Sequence, residues 1–266
     1  MVKQKTKLTI TIPTFNESQD LPICLSAIAN QTLSKQIEVI IVDNYSTDDS
    51  IKIAKSFSKK LNIKIIMNKI KDAEVSKLLG FQNSDSEYFM YLDADMTFSS
   101  PDFVEKMLLP LETDKTISSV LCQFIVNRSH SPLTRALSYD EFQRDPIFKY
   151  FTISVSDIVS KKNKDYWLLE ADKHSVPPQS LMIYRKSLIQ EYAKTQKQLI
   201  DNEIPAVLVD QGHTKFAFVP SAGVYHFLLR SLSELWRKRV RNLERTYYPN
   251  ISERKYKWIN WKKDFP

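Results

Sequence analysis

The chain predicts an α/β fold with a mostly parallel central sheet and helices on both faces. Three observations carry that expectation. Strand-like and helix-like segments alternate four times before residue 95, with short loops between them, the signature of consecutive βαβ units. Three of the strands run out into polar or conformationally special residues, at Pro13, Asp43 and Asp93, and ligands in such sheets bind beyond the carboxyl ends of the strands. Glycine is scarce, at 3 residues, so the turns rely on Asn, Asp, Ser and Pro.

Each element follows from its residues. Leu8 to Ile12 (LTITI) is β-branched and apolar and is bounded by Pro13, which makes it a strand. Ser18 or Asp20 is placed to cap a helix carrying Leu21, Leu25 and Ile28 at helical spacing. Ile37 to Val42 is the second strand. After it, Thr47 or Asp48 can cap a helix with Ile51, Ala54 and Phe57 on its apolar face. Ile63 to Met67 is the third strand, Asp72 to Asn83 the next helix and Tyr88 to Leu92 the fourth strand. Further on come a helix from Pro101 to Leu111 with Pro in its first turn, a strand from Ile117 to Val126 and a helix from Pro132 to Gln143. The stretch from Asn127 to Ser180 is otherwise irregular. Leu181 to Tyr184 reads as a strand, and Lys186 to Lys194 and Glu203 to Gln211 as helices. Phe216 to Val219 and Gly223 to Tyr225 are two short strands, and Ser231 to Arg245 is a strongly basic helix. Residues 1–230 are expected to form one domain and 231–266 a basic amphipathic extension.

Composition narrows the class. With 42% hydrophobic and 26% charged residues, the 266-residue chain is ordinary for a soluble globular protein with a sizeable core. Neither GxGxxG nor GxxxxGK[ST] occurs, which excludes the Gly-rich phosphate loops. Cys24 and Cys122 lie in apolar segments and read as buried free thiols, suiting a reducing compartment. The N-terminus lacks a signal peptide's apolar core, and no run reaches the roughly 18 apolar residues of a membrane span. The expected location is therefore cytoplasmic. The net charge of +7 is concentrated from Arg230 onward.

The stretch EYFMYLDADM, residues 87–96, carries the most chemistry. Its apolar strand drives toward Asp93 and Asp95, separated by Ala94. Paired carboxylates repel and raise each other's pKa unless a cation relieves them. A divalent metal carrying a diphosphate is the obvious candidate.

TIPTFNES (11–18), VIIVDNYSTDDS (39–50), EYFMYLDADM (87–96), QSLMIYRKSLI (179–189) and FVPSAGVYH (218–226) follow one another in a telling order. Together, over roughly residues 7–240, they resemble a family 2 inverting glycosyltransferase of the GT-A fold, with similarity to its rhamnosyltransferase-like branch. The resemblance implies a Rossmann-like sheet with a nucleotide-sugar-binding half (about 1–100) and an acceptor-binding half (about 101–230). It also implies a nucleotide-diphosphate sugar donor, UDP- or dTDP-linked, a Mn²⁺ or Mg²⁺ ion, and hexosyl or deoxyhexosyl transfer with inversion to a glycan or polyprenyl-linked acceptor.

Residue roles follow the matched motifs. Pro13, Thr14, Phe15 and Glu17 match the loop that holds base and ribose; Phe15 can stack on a base, or else be a core aromatic. Asp43 matches the base-reading aspartate, whose carboxylate accepts an imide N–H, with a turn-forming role as its alternative. Lys77 occupies a place near the donor phosphates, although a helix lysine is commonly just solvated. Asp93 is expected at the ribose or metal, Ala94 beside the donor, and Asp95 on the metal. His226 is the third metal ligand, an imidazole that suits Mn²⁺; His130, His174 and His213 remain surface or loop residues. In IDNEI (200–204), Asp201 matches the catalytic base and Glu203 a second acid, whereas Ile200 stands where the family has Glu. Asp210 is the rival base. Trp167, Glu170, Asp172 and His174 lie in the stretch expected to line the acceptor cleft.

In the basic extension, Leu232, Leu235, Trp236, Val240 and Leu243 recur at helical spacing among Arg237, Lys238, Arg239, Arg241 and Arg245. Such a helix fits an anionic membrane surface, or simply packs on the core. Alternatives to a transferase are a non-catalytic nucleotide-sugar or glycan-binding protein of the same fold, and a nucleotidyltransferase, for which PTFNES lacks a basic Gly-rich loop. No nucleic-acid recognition motif accompanies the charge.

Overall fold

The structure, a computed structural model, describes residues 5–128, 130–138, 154–177, 181–226 and 231–244. Among these residues one sheet of ten strands runs through the chain. Its first part is parallel, in the order β3 (Asn62–Met67), β2 (Ile37–Asp43), β1 (Leu8–Thr14), β4 (Tyr88–Tyr91). β9 (Met182–Arg185) then enters antiparallel between β4 and β6 (Ser119–Ile125). β10 (Lys215–His226) lies parallel to β6. β8 (Trp167–Glu170) and β7 (Val159–Lys162) close that edge antiparallel. β5 (Met96–Phe98) pairs only with the far end of β10.

Alternation along the strands divides the core in two. Successive side chains point to opposite faces. Leu8, Ile10 and Ile12 of β1, with Tyr88 and Met90 of β4, pack with Leu21, Cys24, Leu25 and Ile28 of α1 (Leu21–Ala29). Ala54 of α2 (Ser50–Ser56) and Phe103, Val104 and Met107 of α4 (Phe103–Thr113) join the same cluster. Phe89 and Tyr91 of β4 instead meet Leu78 and Phe81 of α3 (Ala73–Gln82). Behind them lie Ile189 and Ala193 of α6 (Lys186–Thr195) and Ile204 and Leu208 of α7 (Ile204–Asp210). Helices α5 (Pro132–Ser138) and α8 (Leu232–Asn242) complete the described set. Both cysteines are free and buried, as expected.

Several local expectations are corrected. Asp20 occupies the N-cap of α1, but its side chain makes no cap hydrogen bond. Asp49, rather than Thr47 or Asp48, is the N-cap of α2. β5, β7 and β8 were not expected: they are three or four residues long, and their pairing depends on β10 and on each other rather than on a local apolar run. The two short strands at Phe216–Val219 and Gly223–Tyr225 are one strand, β10, broken in register between Phe218 and Gly223. Such an irregularity bends a strand, and beyond it β10 exchanges β8 for β5 as a neighbour. The helix expected at Glu203–Gln211 begins as a 3-10 turn, Asp201–Glu203, before α7. The expected continuations of α5 to Gln143 and of α8 to Arg245 lie outside the described residues.

Helix α3 seats closely on β1 through Gly80. A Cβ added there would come within 2.2 Å of the Thr11 side chain, which is fully buried. Overpacking of this kind costs about 1–3 kcal/mol, against about 1 kcal/mol gained in helix propensity. Gly80→Ala should therefore lower the urea midpoint without changing the denaturation slope. Gly80→Val, which gains less propensity and adds more volume, should lower it further.

Candidate active site

The loops at the carboxyl ends of β1 and β2 are bonded to one another. The Asn16 N–H donates to Ser46 Oγ at 2.9 Å, and the Thr47 N–H donates to Asn16 Oδ1 at 2.8 Å. The Glu17 N–H donates to Ser50 Oγ, and the Ser18 N–H to Asp48 Oδ2. Burial opposes the Asp48 charge, but hydrogen bonds from Ser50 and Ser18 outweigh it and hold the carboxyl at about 2. Asn16 and Tyr45 both take positive φ, 57° and 61°. For a bulky residue such as Tyr45 this is a strained conformation. Strain of this sort persists where surrounding bonds over-determine it.

The expected nucleotide residues divide between cleft and scaffold. Phe15 is half exposed and presents its ring to solvent. Pro13 and Glu17 are partly buried. Thr14 is buried and donates to the Ile12 carbonyl at 3.2 Å. Asp43 is fully buried, and its carboxylate accepts from the Ser46 N–H at 2.9 Å and from Ser46 Oγ at 2.6 Å. Its contacts are those of a turn-forming aspartate, the role its side chain was given as an alternative.

Beyond β4, Asp93, Asp95 and His226 come together: ligand atoms of all three lie within 4.8 Å of one another. His226 Nε2 is 3.2 Å from Asp95 Oδ1. Sheet pairing brings this about. Antiparallel β5 and β10 place His226 opposite Met96, the residue after Asp95. Phe124, on neighbouring β6, stacks against the imidazole at 5.8 Å between ring centres. Ala94 is buried in the main core. Asp93 is the exposed member of the three. Burial, and then the Asp95 carboxylate, push its pKa up, against the pull of Lys77 and His226. Beneath the pair lies Cys24, whose Sγ is 3.9 Å from the Asp93 carbonyl. Burial, followed by the charges of Asp95, Asp93 and Glu17, drives that thiol far above its usual range. Two carboxylates and an imidazole on converging elements suit a divalent ion such as Mn²⁺.

A second cluster lies on the α3 side. Lys77 Nζ is buried and lies 3.0 Å from Glu74 Oε1 and 3.0 Å from Asp201 Oδ2. Burial works against the ammonium charge, but Asp201, Glu74 and Asp93 outweigh it and raise the Lys77 pKa well above its ordinary value. The 3-10 turn carrying Asp201 is fastened from two directions. The Leu199 N–H donates to the Glu74 carbonyl at 3.1 Å, and Tyr184 Oη donates to the Asp201 carbonyl at 3.4 Å. Lys77 and Asp201, assigned separate roles from sequence, are thus direct partners. Glu203 is buried, and Asp210 is exposed at the end of α7.

Sequence reasoning missed Glu74 and Phe124. Glu74 has a local signal, its i, i+3 spacing from Lys77; Phe124 has none. His130, expected at the surface or in a loop, is a buried loop residue whose ring meets Tyr225 edge-on at 5.6 Å. Of the residues expected to line an acceptor cleft, Trp167 packs against Phe218 at 5.5 Å with Lys162 Nζ 4.2 Å from its ring. Asp172 closes a turn through the His174 N–H and Ser175 Oγ.

The chain is similar to known proteins in sequence and in fold. The family described as Glycosyl transferase family 2 matches residues 9–193. A poly(ribitol-phosphate) β-N-acetylglucosaminyltransferase, TarP of Staphylococcus aureus, is 30% identical over 92 residues, 34% of this chain and 28% of its own. The matched stretches span about a third or less of the length of the curated relatives, from 34% down to 10%. The fold is similar to S. aureus TarS in complex with UDP-GlcNAc, at 14% identity and a TM-score of 0.60, over 85% of this chain and 60% of that one. It is also similar to the mannosyltransferase PcManGT of Pyrobaculum calidifontis in complex with GDP-Man and Mn²⁺, at 15% identity and a TM-score of 0.63, over 94% and 65%. These likenesses place the architecture among GT-A folds.

The Asp93–Asp95–His226 cluster makes a direct prediction. With UDP present, Mn²⁺ should raise the melting temperature, because a ligand at 100 times its Kd stabilises by about 2.7 kcal/mol. Asp95→Asn and His226→Ala should each abolish most of that shift while leaving the metal-free melt within a few degrees. Thermal denaturation with and without the ion checks it.

Proposed function

The chain belongs to glycosyl transferase family 2, and on that premise we propose that it is a metal-dependent inverting glycosyltransferase. Its donor is a nucleoside-diphosphate sugar, UDP- or dTDP-linked, and its acceptor a glycan or lipid-phosphate-linked hydroxyl. The observation that carries this reading is the convergence at one sheet edge of a metal-competent triad, Asp93, Asp95 and His226, with the Lys77–Asp201 pair. Relatives of this fold in complex with UDP-GlcNAc, or with GDP-Man and Mn²⁺, support it.

The roles of the residues follow from their positions. Phe15, half exposed, offers a face on which a base can stack. The loop sewn together by Asn16, Ser46, Asp48 and Ser50 keeps that ring at the cleft, and Asp43 holds the turn that begins it. Asp93, Asp95 and His226 would hold a divalent ion, which when bound supplies charge neutralisation to the diphosphate leaving group. Asp201, placed on a turn between α3 and β9, accepts the proton from the acceptor hydroxyl as that oxygen attacks the anomeric carbon. Attack from the side opposite the leaving group inverts the configuration. Lys77 holds the Asp201 carboxylate in place until then and lies close enough to Asp93 for its charge to be felt there.

The basic helix α8 adds a membrane-surface role to the proposal. Leu232 and Trp236 are exposed, at 69% and 73%, beside exposed Arg237 and Arg241. Apolar side chains ringed by arginine suit the headgroup region of an anionic bilayer. Among the described residues no helix is long and apolar enough to cross a membrane.

A screen of nucleotide sugars, with nucleoside diphosphate release as the readout, identifies the donor. Asp201→Asn should then lower kcat by a factor of about 10²–10⁴ while donor affinity, measured by calorimetry, changes less than threefold. Full activity in Asp201→Asn moves the base elsewhere, with Asp210 next in line. Absence of release with every common nucleotide sugar defeats the transferase reading.

A further inference from the structure

β1, β2 and β3 each run out into a loop that holds one residue in the left-handed region: Asn16 at φ 57°, Tyr45 at 61° and Lys71 at 57°. Among the described residues these are the non-glycine positions of positive φ. Asn adopts this conformation readily, whereas Tyr and Lys do not. Packing does not account for them. Tyr45 is 39% exposed, Lys71 is exposed, and exposed Met67 and Ile70 stand beside them. Strained positions of this kind cluster where ligands are held.

The three loops are fastened together beneath these side chains. The Asn44 N–H donates to the Thr14 carbonyl at 2.8 Å, and the Asn68 N–H donates to the Asp43 carbonyl at 2.8 Å. Buried Asn68 donates through Nδ2 to Oδ1 of buried Asn44 at 2.9 Å and accepts from the Ile70 N–H at 3.0 Å. Phe15, Tyr45 and Lys71 therefore follow the ends of three neighbouring strands, β1, β2 and β3, in that order away from β4. At the usual strand spacing β2 lies about 10 Å and β3 about 14 Å from β4. A nucleotide whose diphosphate is held at Asp93 and Asp95 extends its base across β1 toward β2 and β3. The Lys71 ammonium stands at the base end of that path rather than the phosphate end. Its Nζ is 6.0 Å from the centre of the Tyr45 ring, the outer limit of a cation–π contact, so the ring does not hold it closely. Asp43, the residue expected to read the base, turns both carboxylate oxygens to Ser46.

We infer that Tyr45 and Lys71 determine which nucleobase the donor carries. The Tyr45 ring packs against the base, and the Lys71 ammonium donates to an exocyclic oxygen on its edge. An ammonium has three donors and no acceptor. It therefore favours an oxo group, as in uracil or thymine, over an amino group at the same position, as in cytosine. The inference rests on the reading of the donor as a UDP- or dTDP-linked sugar.

The test is calorimetric titration of the full chain with UDP and with CDP, Mn²⁺ being present. UDP should bind about tenfold or more tightly than CDP, because a charge-assisted hydrogen bond is made only to the oxo base. Lys71→Met should weaken UDP about tenfold and leave CDP unchanged, so that the preference disappears. Tyr45→Phe should keep the wild-type affinity for UDP. Tyr45→Asn suits positive φ but removes the ring, and should weaken both nucleotides about tenfold without lowering the melting temperature. A purely structural role for Tyr45 predicts the reverse, a lower melting temperature with unmoved affinity, and overturns its part. Should Lys71→Met not melt cooperatively, Lys71→Asn also suits positive φ, is too short to reach the base, and carries the same expectation. Equal loss of UDP and CDP in Lys71→Met places the ammonium on the phosphates and overturns the inference. Equal wild-type affinity for UDP and CDP, or a purine nucleotide bound in preference to UDP, overturns it too. The two readings fail separately. If no nucleoside diphosphate binds with Mn²⁺, the donor site itself fails and this inference with it. If UDP binds and its preference over CDP survives in Lys71→Met, the inference alone is overturned.

Discussion

The ammonium of Lys77 lies 3.0 Å from each of two carboxylates on elements far apart in sequence, and its charge also acts on a third, Asp93. Acidic groups crowded at one sheet edge repel each other, and burial multiplies that repulsion. A cation inside the cluster makes the arrangement tolerable. Lys77 supplies it from α3, which sits against β1 through Gly80. Removing one member of a buried ion pair typically costs on the order of 3–5 kcal/mol, so the position of α3 and the composition of the edge depend on each other. The cluster on the α3 side is thus compensated from within. On the side of Asp93 and Asp95, His226 Nε2 lies 3.2 Å from Asp95 Oδ1, and its charge depends on protonation.

The rest of the edge is organised to keep these groups from relaxing away. The loops after β1 and β2 are bonded to each other through Asn16, Ser46, Asp48 and Ser50, with Asn16 and Tyr45 at positive φ. With so few glycines, hydrogen bonds to short polar side chains replace the conformational freedom that glycine would offer. Gly223 marks a close approach between strands. A Cβ there would meet the Ile125 side chain at 2.8 Å, and this close approach lies where β10 resumes pairing with β6 after its break in register. The second half of β10 then reaches β5 and delivers His226 to Asp95.

Much of this was legible from local signals. The four βα alternations, the parallel first half of the sheet, the buried cysteines and the acidic strand end each follow from periodicity or from residue chemistry over a few positions. Asp93, Asp95 and His226 were also named together, but through an ordered set of motifs rather than through any physical link visible between residues 95 and 226. That link is the antiparallel pairing of β5 with β10, and β5 is too short to announce itself. Asp43 shows the opposite case: its place at a strand end suggested an open carboxylate, and the fold closes it on Ser46.

The sequence by itself determined the α/β class, the order of the helices and strands in the first hundred residues, and which carboxylates stand at the sheet's edge. These depend on interactions within a turn or two of chain, where side-chain spacing decides burial. Only the tertiary structure decided which of those groups neutralise one another. The meeting of Lys77 with Asp201 spans 124 positions and depends on β9 entering between β4 and β6, on the Leu199–Glu74 hydrogen bond and on the packing of α3. Charge pairing acts through space over a few ångströms, so no local pattern records it. For the same reason Glu74 went unnamed in the sequence and is, in the fold, the third member of a buried charge cluster.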